Sequence, residues 1–178
     1  MRILSLMVLM ALSGTVAADS VRGFCERDGK RLEFTDGIAF ADAREGDTLT
    51  TNIYLTAKPL DRKSLAKCAE CRGPLPESTF NSPRGDLIET QREAVSEGWM
   101  ELHHTGGELN MSTLVNLMYI ADDGTHTGLD GGNGKITLDT LTDQRATGKL
   151  TTEAREAPMS DTDMRCDVAF DLAVGWPQ

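Results

Sequence analysis

Aromatic residues make up only 5% of the 178 positions. Clefts for sugars and small organic ligands are lined with rings, so little material is available for one. Histidine occurs three times, as His103, His104 and His126. No His-Glu-x-x-His or Gly-x-Ser-x-Gly segment is present, and no His stands in a recognised arrangement with Ser or Cys. Paired carboxylates are plentiful, but they fall in expected turns or on outward strand faces rather than facing each other across a cleft. These absences argue against an enzyme. Basic residues are outnumbered, 18 against 28 acidic, for a net charge of -10. Such a surface repels phosphate backbones and anionic lipid, so nucleic acid is not an expected partner.

Long apolar runs are also missing, with one exception at the start. Arg2 precedes the run Ile3 to Leu12, Ser13 and Gly14 break it, and Val16-Ala17-Ala18 supplies small side chains where a signal peptidase reads. This predicts a secretory signal peptide over 1–18. The run is shorter than the ~20 residues needed to span a bilayer. No Cys follows Ala18, so no lipid anchor is indicated, and the mature chain 19–178 is expected to carry no membrane anchor. Residues 19–178 have the length of one domain, delivered to the periplasm or secreted.

What is abundant points to strands. Gly occurs 17 times, Thr is frequent, and turn signals recur at short spacing. The clearest element is 164–174. Cys166, Val168, Phe170, Leu172 and Val174 alternate with Arg165, Asp167, Ala169, Asp171 and Ala173, the period of a strand with one face in a core. Further strands are predicted over 21–25, 47–57, 99–104, 113–121, 135–141 and 145–153. Residues 31–34 and 38–41 form two strands, or one interrupted at Asp36-Gly37. Between these groups, 61–98 changes character. Leu65, Cys68 and Ala69 have helical spacing after Asp61, a residue suited to capping, and 72–83 is a Pro-containing loop. Leu87, Ile88, Gln91, Ala94 and Val95 share one face of a second predicted helix that starts at an Asp86 cap and ends before Gly98. The expected fold is all-β: an antiparallel β-sandwich, or flattened barrel, of about eight strands, with 61–98 as a helical insertion or crossover.

Four stretches carry a resemblance: Ile38-Ala39-Phe40, Ile53 through Asp61, Ala146-Thr147-Gly148-Lys149-Leu150, and Asp167-Val168-Ala169-Phe170. They resemble uncharacterised exported bacterial β-sandwich proteins, in which a strand ending Pro-Leu-Asp leads into a helical crossover and the C-terminal hairpin holds a small-Gly-Lys-Leu strand. The resemblance implies the sandwich fold and brings no catalytic residues with it.

Four cysteines in an exported chain imply two disulfides with three possible connectivities. Cys25 and Cys166 sit in strands near opposite ends of the mature chain, where first and last strands of a sandwich often pair, so Cys25–Cys166 with Cys68–Cys71 is the favoured arrangement. Cys68-Ala69-Glu70-Cys71 lies at the end of a predicted helix, where the dipole opposes a thiolate, so a local structural bridge is favoured over thiol–disulfide exchange. Arg72 stands where a c-type haem would need His, and the ligands for a Zn site are too few. Met100, His103, His104 and Met111 cluster in one strand–turn region, and a Cu or Zn site built from Met100 with His103 or His104 is the alternative, with His126 as a remote partner. His103 and His104 point to opposite faces of a regular strand, so one at most joins a given site. The Asp122-Asp123-Gly124 and Asp130 to Gly134 stretches miss the Ca²⁺-loop spacing and read as turns. Arg84-Gly85-Asp86 is a chance tripeptide. The reading is an exported, non-enzymatic β-sandwich protein with a binding or accessory envelope role, an unknown protein or small-molecule partner, and no cofactor. A thiol–disulfide protein using Cys68 and Cys71 is a further alternative.

Overall fold

The computed structural model describes residues 18–27, 29–43, 49–72, 75–76, 82–95, 98–105, 115–120, 126–129, 135–152 and 164–178. The predicted signal segment up to residue 17, Met111, the two Asp-Gly turns and residues 153–163 lie outside them.

Alternation along the last strand sets the architecture. Cys166, Val168, Phe170 and Leu172 are buried, whereas Arg165, Asp167 and Ala173 are exposed. This strand, β11 (Met164–Ala173), takes the centre of a five-stranded sheet. On one side it pairs antiparallel with β1 (Ser20–Arg27), which pairs in turn with β2 (Lys30–Phe34). On the other side β10 (Arg145–Thr152) and β9 (Lys135–Leu141) follow, joined by a turn in which the Thr142 hydroxyl accepts from the Gln144 and Arg145 amides. The second sheet runs β5-β3-β4-β6-β7-β8, from β3 (Asp36–Ala43), β4 (Leu49–Thr56), β5 (Leu75–Pro76), β6 (Trp99–Thr105), β7 (Val115–Ile120) and β8 (His126–Leu129). The two sheets face each other as an all-β sandwich with a short helical insertion. Short β5 and β8 add to the strands expected from sequence. Arg31–Phe34 and Ile38–Ala41 prove to be parts of separate strands, β2 and β3, which belong to different sheets with Thr35 between them.

The inner faces bury one core. Val21, Cys25 and Phe34 join Ala146, Leu150, Val168, Phe170 and Leu172 from the first sheet, and Ala39, Ile53, Leu55, Met100 and Leu102 come from the second. Register places Cys25 directly opposite Cys166, and the structure joins them across β1 and β11. Two places need glycine there. Gly23 has φ 128°, and a Cβ at that point would lie 2.0 Å from the Asp167 carbonyl oxygen. Gly98 has φ 72° and would meet the Ala57 methyl. The outer face of the first sheet is a solvated ladder, with Lys149 3.1 Å from Asp167, Arg145 2.5 Å from Asp171, and the Arg31 guanidinium stacked 3.4 Å over the Phe24 ring.

The insertion forms a third layer on the outside of the second sheet. Helix α1 (Arg62–Ala66) is capped by Asp61, whose carboxylate accepts from the Ser64 amide. A 3₁₀ turn at Ala69–Cys71 follows, so the helical run expected as far as Cys71 is broken at Lys67. Cys68 and Cys71 are joined at this turn. Helix α2 (Pro83–Val95) starts earlier than predicted. Pro83 occupies its first turn, where a missing N–H costs nothing, and the Ser82 hydroxyl accepts from the Gly85 amide. Asp86 therefore lies inside the first turn instead of capping it. Its buried side is Arg84, Ile88, Gln91 and Val95. Ala94, expected on that side, is exposed.

Candidate functional site

Residues on the outer side of β3, β4 and β6 would ordinarily meet water. Here Ile38, Phe40, Tyr54 and Trp99 pack under the third layer with Leu60, Leu65, Cys71, Ile88, Val95 and Trp176. Both tryptophans gather at this face with Phe40 and Tyr54: Phe40 stacks on Tyr54 at 5.7 Å, Trp176 meets Phe40 edge-on at 5.3 Å, and Tyr54 lies 5.4 Å from Trp99. Trp176 arrives on the tail after β11, which crosses to β3 through the Gly175 amide donating to the Ala39 carbonyl. Its indole N–H donates to the Leu65 carbonyl at 2.9 Å.

Polar side chains run through the same apolar layer in an ordered line. Arg84 is 2% exposed. Its guanidinium pairs with the Asp42 carboxylate, donates to the Cys71 carbonyl, and lies over the rings of Phe40 and Trp176. Burial pushes the Arg84 guanidinium below its ordinary value, and the adjacent Asp42 opposes that shift by favouring the charged form. An ionised Asp42 only accepts hydrogen bonds, so it takes one from Asn52 Nδ2 at 2.7 Å. That fixes the amide and turns Asn52 Oδ1 toward His103 Nδ1, also at 2.7 Å. An amide oxygen only accepts, so His103 carries its proton on Nδ1 and presents Nε2 outward. Nε2 lies 3.6 Å from Glu101 Oε2, beyond hydrogen-bond length. The other oxygen, Glu101 Oε1, accepts from the Trp99 indole at 2.7 Å. Burial pushes the Glu101 carboxyl up, but the His103 ring, the Trp99 N–H and the Arg92 charge outweigh it and leave it below the usual range. The Tyr54 hydroxyl is pushed well above its ordinary value, chiefly by burial and then by the charges of Glu101 and Asp42. At the open end His103 keeps about a third of its side chain exposed (32%).

The structure separates the residues that the sequence offers for metal. Met100 and His104 lie on the inner side of β6 and His103 on the outer. Met100 is fully buried in the sandwich core. His104 is 1% exposed, and neither ring nitrogen has a hydrogen-bond partner of normal geometry among the described residues. His126 starts β8, paired with Ile120 of β7 and two strands away from β6. Arg84 of the Arg-Gly-Asp tripeptide is buried beneath the third layer and unavailable to a receptor. Reading the sequence missed Asp42, Asn52, Arg84 and Glu101. For Asp42, Asn52 and Glu101 the one local signal is polarity at strand positions that alternate with core residues, which is also the mark of a wet face, and Arg84 stands in the first turn of α2, where a charged residue gives no such signal. No family model, curated protein or solved structure matches the chain.

Proposed function

We propose that this is an exported, non-enzymatic binding protein of the periplasm or extracellular space, whose partner docks where Asn52, Glu101 and His103 end the buried polar line. One observation carries the reading. A buried Arg84–Asp42 pair, costly to desolvate, fixes the orientation of a single partly exposed imidazole. Export is supported by the leader-like start and by two disulfides, which persist in oxidising compartments. Among the described residues no helix is long and apolar enough to cross a membrane. With both thiols of Cys68 and Cys71 in a disulfide, their support is for a structural role in holding the Cys71 carbonyl against Arg84.

The test is an amide and side-chain NMR titration of residues 19–178, oxidised, with fractionated envelope components. Shifts should cluster at Asn52, Trp99, Glu101 and His103. A cluster on the opposite sheet, around Phe24, Arg31 and Arg165, would reject this face.

A further inference from the structure

Resting on the docking face just described, we propose that His103 Nε2 and Glu101 Oε2 are the two protein ligands of a divalent transition-metal ion of the Zn²⁺ type. The hydrogen-bond logic asks for a cation at this point. Asp42 and Asn52 oblige His103 to carry a proton on Nδ1, which in the neutral ring leaves the Nε2 lone pair facing a carboxylate oxygen. Two acceptors facing each other repel unless a positive charge sits between them, which either a second proton on the ring or a bound metal ion supplies. Their 3.6 Å separation suits the ion. Ligands at about 2.1 Å on a tetrahedral ion stand about 3.4 Å apart. Both groups are also held from behind in the manner of metal ligands. His103 gives its other N–H to the Asn52 amide oxygen, and the spare Glu101 oxygen takes the Trp99 N–H. A nitrogen and an oxygen donor, with water filling the remaining positions, suit Zn²⁺ and its borderline neighbours over Ca²⁺ or Mg²⁺. The pair differs from the Met100-containing set suggested by sequence, since Met100 belongs to the other face of β6.

Isothermal titration of oxidised 19–178 with Zn²⁺ at neutral pH, followed in parallel by the histidine side-chain nitrogen resonances, tests the site. One ion per chain should bind and move the Nε2 signal of His103. Glu101→Gln should weaken binding by about tenfold or more, and Asn52→Ala by about 10- to 100-fold through the lost support of the ring. His126→Ala should change nothing. Circular dichroism shows whether each variant is folded, and if His103→Ala is not, Glu101→Gln decides alone. Absence of saturable binding, or binding unchanged in folded Glu101→Gln, overturns the metal site. In that case His103 shifting with an envelope component still supports the docking face, whereas no response of His103 to metal or component rejects both.

Discussion

Arg84 and Asp42 carry the largest electrostatic stake of any side chains at the candidate site. A guanidinium under a helical layer stays charged because a carboxylate and a carbonyl meet it there. Removing one partner leaves the other buried and uncompensated, which costs about 3–5 kcal/mol. Asp42→Ala should therefore lower stability in urea by roughly that amount, and Asp42→Ala with Arg84→Met should lose less than the sum of the single changes. Additive losses would show that the two do not act as a pair. His104 makes a separate case on the inner face. Burial pushes its pKa below 6.5, with only a partial pull upward from its own backbone. The unfolded chain therefore takes up this proton at a higher pH than the folded protein does. Its contribution to stability is full above pH 6.5 and falls as pH drops below that value. Urea unfolding above and below pH 6.5 should show a steeper acid loss for the native chain than for His104→Leu. Equal slopes would count against a buried neutral imidazole.

Among the elements, the tail after β11 does more than its length suggests. Val174 bridges to Ala39, Gly175 donates to the Ala39 carbonyl, and Trp176 fills the space between Phe40 and α1. Three residues thus tie the first sheet, the second sheet and the third layer together. Loss of a buried Trp typically costs about 3–5 kcal/mol. Trp176→Ala should lower the melting temperature and speed hydrogen exchange in α1, while amides of β10 and β11 keep their relative protection. Uniform loss of protection would instead mean that the third layer and the sandwich unfold as one unit. Gly23 is the second sensitive point. Gly23→Ala combines a positive φ with a clash against the β11 backbone, so it should destabilise more than the about 1–3 kcal/mol of backbone strain alone. A melting temperature equal to the native one would refute this. The strand pattern of β11 was legible from the chain because alternation is a local property. The start of α2 was misplaced by three residues because Ser82-Pro83 and Asp86 are both good openings for a helix, and packing of Arg84 against Asp42 favours the earlier one.

For the molecule as a whole, the two disulfides act at very different ranges. Cys25 and Cys166 are 141 residues apart, Cys68 and Cys71 only 3. In the chain-entropy model the first stabilises by up to about 5 kcal/mol and the second by about 2 kcal/mol. Paired Cys→Ser replacements should rank in that order by denaturant midpoint. The reverse order would show that the Cys71 carbonyl's hold on Arg84 outweighs chain entropy. The long bridge also closes the first described strand onto the last, where the Asp19 carboxylate accepts from the Ala173 amide at 2.7 Å.

By itself the sequence determined the sandwich and its inner core. Cys166, Val168, Phe170 and Leu172 announce their buried side within one strand. Tertiary structure alone decided that the other side of β3, β4 and β6 is buried as well. Asn52 and Tyr54 have the polarity of a wet face, and they leave water only because a segment 42 residues beyond Asp42 in the chain brings Arg84 and Ile88 over them. The same fold-level meeting sets the His103 tautomer, since Asp42, Asn52 and His103 sit on three strands whose adjacency no local pattern encodes. Periodicity is written residue by residue along a strand. The partner of a buried charge is settled only when two distant surfaces close on each other.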